Sequence, residues 1–551
     1  MAGLHSVGVV DSIEAINGIG HAAVACDSGF RHALATRGYT LEAESGEITQ
    51  LTPYAGAFSA RAAQITRNID RYEAQWRGDH LGQEPRPALR RSWDRRAWAD
   101  ARPDKVVPKN GAQLSQRWRE ELGDLGFVPP PSPGPVAENL GTPIGRINRV
   151  AVVDLALIRL GARRSSWNAA DLRGEVERIV ASVDVVTMAT VRGELVEDLT
   201  DRAIKACVPL LDRDDVPEHV RALTSGEVLD VEADLTSRLA ARAASPGTPD
   251  PVGPVVAGRG LDRAQQQVAG ALAGTSKLLV VEGAAGAGKT TTLAAARSLL
   301  EADQRRLVVV TPTLKAARVA QQQVGTNAFS AAWLVHQHGF RWDQDGCWSR
   351  VETRPDARAR LLPGDLVVVD EAGMLDQDTA RALLTVADET GARVAFMGDR
   401  HQLPAVGRGG VLDHAARWAL PEDRVALESV HRFSDPTYAD LSLRMRSGHR
   451  AGEVFDHLLH RGQIVVHPTE VERLAALTTT NGTVIADTRE QVAALNASIR
   501  DHRRSAGHLD KHIDDKRQVT TTPVSSSGSE TRSPLAATTA TWAWPTGTSG
   551  P

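Results

Sequence analysis

Between Leu278 and Leu293 the chain reads as an apolar run, a glycine-rich turn and the start of an alanine-rich segment. Few stretches restrict a fold so tightly. The pattern predicts a strand, a phosphate loop and a helix in immediate succession. Gly283, Gly288, Lys289 and Thr290 satisfy G-x-x-x-x-G-K-[ST]. Gly283, Gly286 and Gly288 let the backbone turn tightly enough for successive N–H groups to face phosphate oxygens at a helix N-terminus. The Lys289 ammonium can reach β- and γ-phosphates, and the Thr290 hydroxyl can ligate Mg²⁺. A plain strand-to-helix turn is the competing meaning, and the flanking strand and helix weigh against it. The nucleotide-binding stretch is therefore Gly283, Ala284, Ala285, Gly286, Ala287, Gly288, Lys289, Thr290 and Thr291.

From residue 261 onward apolar runs alternate with helix-length segments: 278–281, 307–310, 366–369 and 394–397. Such alternation predicts an α/β domain with a parallel, doubly wound sheet, whose ligands bind at the C-terminal strand ends. The third run ends in Asp370 and Glu371. An aspartate there can hold the Mg²⁺ shell, and the next glutamate can polarise an attacking water. The fourth runs into Gly398-Asp-Arg-His-Gln402, placing an amide where it could sense a γ-phosphate, with a plain surface loop as the alternative. Between the second and third runs, residues 340–351 form a hairpin by their own chemistry, with Asp345-Gly346 as the turn. Trp342 and Trp348 could stack on bases or pair across the strands. His336 and His338 lack the further ligands that a metal site needs.

The 551 residues are enough for several domains, and a net charge of −4 excludes a generally basic nucleic-acid coat. No run of about 18 apolar residues predicts a membrane span, and the first residues lack the pattern of a signal peptide. Cys26, Cys207 and Cys347 stand far apart in no metal spacing, which predicts free thiols and a cytoplasmic location. Residues 1–127 read as mainly helical, with Ile65, Ile69, Tyr72 and Trp76 marking one buried helix face between 58 and 76. The basic run Arg86, Arg90, Arg91, Arg95, Arg96, Arg102 and Lys105, interleaved with Trp93 and Trp98, is either a solvated helix face with packed tryptophans or a phosphate-contacting strip. Pro/Gly-rich linkers at 128–136 and 245–254 bracket a helical domain at 137–244. Its expected core holds Leu155, Ile158, Leu172, Val176, Ile179 and Val180. Residues 160–180 have the form of a helix-turn-helix with Arg163 and Arg164 outward, although three-helix packing without DNA is the commoner meaning.

The motif order now resembles the first RecA-like domain of superfamily 1 DNA helicases of the RecD type. The resemblance rests on Leu261-Asp-Arg-Ala-Gln265, the phosphate loop, Thr311-Pro-Thr313, Val369-Asp-Glu-Ala372 and Gly398-Asp-Arg-His-Gln-Leu-Pro404, and covers roughly 255–500. It implies an ATP-dependent enzyme, a first RecA-like domain at 255–424 and an incomplete second one at 425–518. By the same resemblance Gln265 corresponds to the adenine-reading glutamine. Lys289 and Thr290 hold phosphate and Mg²⁺, Asp370 and Glu371 are the metal-holding and catalytic carboxylates, and Gln402 couples to the γ-phosphate. Arg432 matches the arginine that reaches the γ-phosphate across the cleft. The 340–351 hairpin corresponds to one that lies against DNA in that family.

Upstream, the 58–76 segment, Trp93-Asp-Arg-Arg-Ala-Trp98, Arg102 to Lys105 and Arg117-Trp118 resemble the tail of the relaxase region in MobF-class conjugative relaxase-helicases, a group that includes TrwC relaxases. Neither a nicking tyrosine among Tyr39, Tyr54 and Tyr72 nor a metal-binding cluster among His5, His21, His32 and His80 stands in family context, so the chain is expected to begin downstream of the nicking centre. After Thr483 to Asn496, which resemble a strand and helix of the second RecA-like domain, the later helicase motifs are missing. The Ser/Thr/Pro-rich segment 519–551 is expected to be a disordered or frame-shifted tail. Together these features imply a RecD-like ATPase fragment that couples ATP hydrolysis to movement on single-stranded DNA, with the conjugation machinery as a partner. A nucleotide-dependent DNA-binding or scaffold module with little hydrolysis is the alternative.

Overall fold

The computed structural model describes residues 12–58, 111–132, 141–213, 215–250, 260–480, 482–486 and 489–505. Beyond Phe58, the helix expected up to Trp76 lies outside these residues, as do the basic run from Arg86 to Lys105 and the tail at 519–551. The chain divides into two units, one of Met1–Pro53 with Gly126–Val466, the other of Tyr54–Leu125 with His467–Pro551.

A six-stranded sheet, parallel throughout, organises the first unit: β1 Leu278–Gly283, β2 Leu307–Thr311, β3 Ala328–Ser330, β4 Leu366–Asp370, β5 Arg393–Gly398 and β6 Arg424–Leu427. Their spatial order is β6-β1-β5-β4-β2-β3. The four apolar runs of the sequence are thus the four central strands. Each must be apolar on both faces, because helices cover both sides of a parallel sheet. Leu278, Val280, Val308, Val310, Val367, Val369, Val394 and Phe396 belong to the core on one face, and their alternating neighbours Leu279, Val281, Val309, Val368 and Met397 to the core on the other. The edge strands β3 and β6 are short, and β6 is largely solvent-facing. Neither leaves a continuous apolar signature.

Three expected boundaries move. The sequence expectation ends the first RecA-like domain at 424, but β6 hydrogen-bonds in register with β1, so the sheet runs to Leu427. The second boundary lay at 244, yet Val231, Leu235, Leu239 and Ala243 of the helix Gly226–Ala243 belong to a sheet core. The proline-rich linker therefore follows a helix already committed to the sheet. Third, the N-terminal residues through Pro53 group with Gly126–Val466. The helix Ile13–Ala25 packs against the helix Ala169–Ser182 in the core shared with Arg149–Arg163 and Ala189–Ala206. At that crossing Gly18 faces Gly174 so closely that a Cβ on either would strike the other helix's backbone. Close approach of this kind needs glycine.

Leu172, Val176, Ile179 and Val180 are completely buried, while Leu155 and Ile158 are half-buried. Arg163 is exposed, its side chain 56% accessible, and Arg164 is half-buried. They turn to the buried carboxylates Glu175 and Asp171, at 3.5 and 3.0 Å. Two carboxylates taken out of water must be paired, and that demand fixes the arginines. In the second unit the helices Glu470–Thr478 and Arg489–Ser505 pack together. The strand expected at 483 is absent, residues 482–486 being irregular with Ile485 exposed. Three apolar residues become a strand only where an open sheet edge takes their hydrogen bonds.

Candidate functional site

The strand order places the C-terminal ends of β1, β5 and β4 side by side, with Glu282 opposite Gly398 and Asp370 opposite Met397. From β1 the chain turns through Ala284 to Gly288 into the helix Lys289–Ala302. Gly286 and Gly288 hold φ values of +83° and +81°, a region that favours glycine. Space is restricted as well. A Cβ on Gly286 would lie 2.5 Å from the Arg432 Cβ, and one on Gly288 would collide with the Gln265 amide. Ala284 and Ala287 are buried, Ala285 and Thr291 exposed, and Thr290 half-buried. Lys289 Nζ donates to the Gly283 carbonyl at 3.3 Å and lies 3.3 Å from Glu371 Oε1.

Asp370 closes β4, and Glu371 follows in the left-handed region at φ +58°. A non-glycine residue held there is strained, a feature that concentrates at functional sites. Burial first, and then the neighbouring Glu371 carboxylate, push the Asp370 carboxyl up to about 6, against the opposing pull of Lys289. A divalent cation beside that carboxylate would reverse the balance. The Thr290 hydroxyl and the Asp370 carboxylate are hard oxygen donors, and the glycine cradle leaves no room for a side chain. Both features fit a magnesium-bound polyphosphate.

The third strand end carries a buried acid that motif reading missed. Asp399, next after β5, accepts from the His401 N–H at 3.0 Å, from Gln402 Nε2 at 3.1 Å and from Arg446 Nε at 2.8 Å. Burial alone would raise this carboxyl, but the His401, Arg446 and Gln402 hydrogen bonds outweigh it and hold it below the usual carboxylate range. Arg446 comes from the helix Pro436–Ser447, and no sequence spacing announces it.

On the opposite rim, Gln265 and Asp262 form a reciprocal capping box at the start of the helix Arg263–Ala273. Buried Gln265 also turns its Nε2 to the Ala287 carbonyl at 3.5 Å. His431 joins this rim. Its N–H donates to the Gly286 carbonyl at 2.9 Å, and its Nε2 lies 2.8 Å from Asp262 Oδ2. Arg432 is thereby seated directly on the phosphate loop. Lys289 and Glu371 meet, and Gln265, His431 and Arg432 line the loop, whereas the Gln402 amide is turned to Asp399.

A single parallel sheet with a glycine phosphate loop, an acid pair two strands away and a polar loop on the strand between is the layout of a P-loop nucleotide-binding domain. The AAA domain family matches residues 260–469, and the TrwC relaxase family matches residues 5–125. Each match takes in less than half of the chain, the first over the sheet and the second over the N-terminal residues. It is 27% identical over 209 residues to a probable conjugal transfer protein TraA of Sinorhizobium fredii, covering 37% of this chain and 17% of that protein. With the RecBCD enzyme subunit RecD of Mycolicibacterium smegmatis it shares 29% identity over 268 residues, 44% of this chain and 47% of that one. Identity to the ATP-dependent RecD2 DNA helicase of Deinococcus radiodurans is 32% over 224 residues, 38% and 29% of the two chains. The chain thus spans less than half the length of these curated relatives. Among solved structures, the Pif1 helicase from Candida albicans aligns over 46% of this chain and 56% of its own at 16% identity, with a TM-score of 0.28.

Proposed function

We propose that this chain binds ATP with Mg²⁺ on the loop from Gly283 to Thr291 and hydrolyses it to drive movement along single-stranded DNA. The observation that carries this reading is the convergence of Lys289, Asp370 and Glu371 at the C-terminal ends of β1 and β4, on either side of β5, with the lysine 3.3 Å from the glutamate. Lys289 neutralises the β- and γ-phosphates, and Thr290 with Asp370 would hold the metal ion. When bound, that ion would supply positive charge against the phosphates. Glu371 takes the proton of the attacking water. Gln402 and Arg432 respond to the γ-phosphate, and Gln265, released from its present bonds, reads the adenine edge. Catalysis of phosphoryl transfer is mostly positioned charge, so each of these groups acts by where it is held. Conjugative DNA processing, with the transfer machinery as partner and the cytoplasm as the place of work, is the setting that the relaxase-type segment supports. No described helix is long and apolar enough to cross a membrane.

The test is ATP hydrolysis by the purified chain with and without single-stranded DNA, with Lys289→Ala as the blank. The expected result is DNA-stimulated turnover that Glu371→Gln abolishes while ATP affinity stays near that of the parent. A parent protein as inert as Lys289→Ala overturns the enzyme reading. In that event the second reading, a nucleotide-dependent DNA-binding module, stands on a specific observation: Lys289 is already satisfied by Glu371, and Gln402 by Asp399.

A further inference from the structure

The hairpin between β3 and β4 has strands Phe340–Trp342 and Trp348–Arg350, paired antiparallel with Trp342 opposite Trp348. Its base belongs to the ATPase layer. Arg350 grips Glu389 of the helix Gln377–Thr390 with two hydrogen bonds, at 2.5 and 2.7 Å. Its tip is held elsewhere. Arg159 Nε, on the helix Arg149–Arg163, donates to Asp345 Oδ1 at 2.7 Å. Gly346, at φ +94°, sits so close to the Ala162 Cβ that no side chain fits there.

Arg159 is also one of three arginines around the buried Glu175, whose side chain is 1% exposed. Arg159 and Arg178 reach opposite oxygens of that carboxylate, at 3.4 and 3.2 Å. Arg178 in turn pairs with Glu14 on the N-terminal helix Ile13–Ala25. Charged contacts therefore run without a break from Glu14 through Arg178, Glu175 and Arg159 to Asp345. Packing at the tip is limited to Gly346 against Ala162, and beside that contact lies a cavity of about 50 Å³ bordered by Ala162, Gly346, Trp348, Glu227 and Arg408.

We propose that Glu175 is the hub of an ion-pair relay that positions the hairpin tip from the helical layer and links it to the N-terminal helix of the relaxase-type segment. These are positioning residues that touch neither nucleotide nor reacting atoms. The consequence for the motor rests on the proposed function: a hairpin anchored at both ends is a rigid surface against DNA, and its angle follows the upstream helices.

The relay is read by hydrogen–deuterium exchange of the full chain without nucleotide or DNA, so its outcome does not depend on the proposed activity. Asp345→Asn, which keeps a turn-compatible residue, and Arg159→Gln should each speed exchange across residues 339–351 by roughly tenfold, with no further gain in the double variant. Glu14→Gln, remote from the hairpin, should speed the same amides by roughly threefold. Unchanged hairpin exchange in both Asp345→Asn and Arg159→Gln overturns the proposal. So does a Glu14→Gln effect confined to residues 13–25. Glu175→Gln is avoided as the sole test because three arginines left around a neutral group could unfold the layer.

Discussion

At the scale of single residues, the site is governed by charge held out of water. Asp370 keeps its proton up to about pH 6, so between the ordinary carboxylate value of 3.8 and that pH the folded chain holds more protons than the unfolded one. Its contribution to stability is full below that ordinary value and falls as pH rises through 6. Cation binding runs the other way, because Mg²⁺ takes the ionised carboxylate. Mg²⁺-dependent nucleotide affinity should therefore weaken as pH drops from about 7.5 to about 5.5, and Asp370→Asn should flatten the profile. A parent profile already flat would remove Asp370 from the metal shell. Gly288 carries the steric counterpart. Gly288→Ala combines φ +81° with a collision against the Gln265 amide, and should lower the unfolding free energy by about 1–3 kcal/mol with loss of nucleotide binding, measured by denaturant unfolding and nucleotide titration.

At the scale of elements, the loop after β5 depends on a helix that follows the sheet. Asp399 is buried, and Arg446 from Pro436–Ser447 is its cation. Arg446→Ala leaves that carboxylate unpaired and should reduce stability by about 2–4 kcal/mol in urea unfolding, with Arg446→Lys recovering part of it. An unchanged midpoint would mean that the His401 and Gln402 bonds alone suffice. Elements also differ in how clearly they could be read. Central strands declare themselves because both faces are covered and nearly every position is apolar. Edge strands such as Arg424–Leu427 need one apolar face at most, so their identity depends on the neighbour that accepts their hydrogen bonds. The same cause explains why an apolar triplet near Thr483 is no strand.

At the scale of the whole molecule, the sequence suggests a series of domains divided by proline-rich linkers, and the structure interleaves them. The crossing of Gly18 with Gly174 attaches the N-terminal helix to the helical layer, and Gly226–Ala243 attaches that layer to the sheet. Gly174→Leu should lever the helix Ile13–Ala25 away and expose it to limited proteolysis, while ATP binding at the phosphate loop stays near that of the parent. Protection equal to the parent would show that the crossing tolerates separation.

What the sequence determined by itself was the scaffold of the candidate site: the glycine-rich turn after a strand, the acid pair at a strand end and the four central strands. Local rules suffice there, because a glycine-rich turn, a strand buried on both faces and a helix start each need particular residue types at short range. Only tertiary structure decided which distant groups meet them. Arg446 on Asp399, His431 on Asp262 and Gly286, and Arg159 on Asp345 join residues tens to hundreds of positions apart. Nothing in local periodicity carries that information, since an arginine on a helix surface reads the same whether it faces solvent or a buried carboxylate. The buried acids Asp399 and Glu175 decide it, because a charge taken out of water must find its counter-charge wherever the fold brings one within reach.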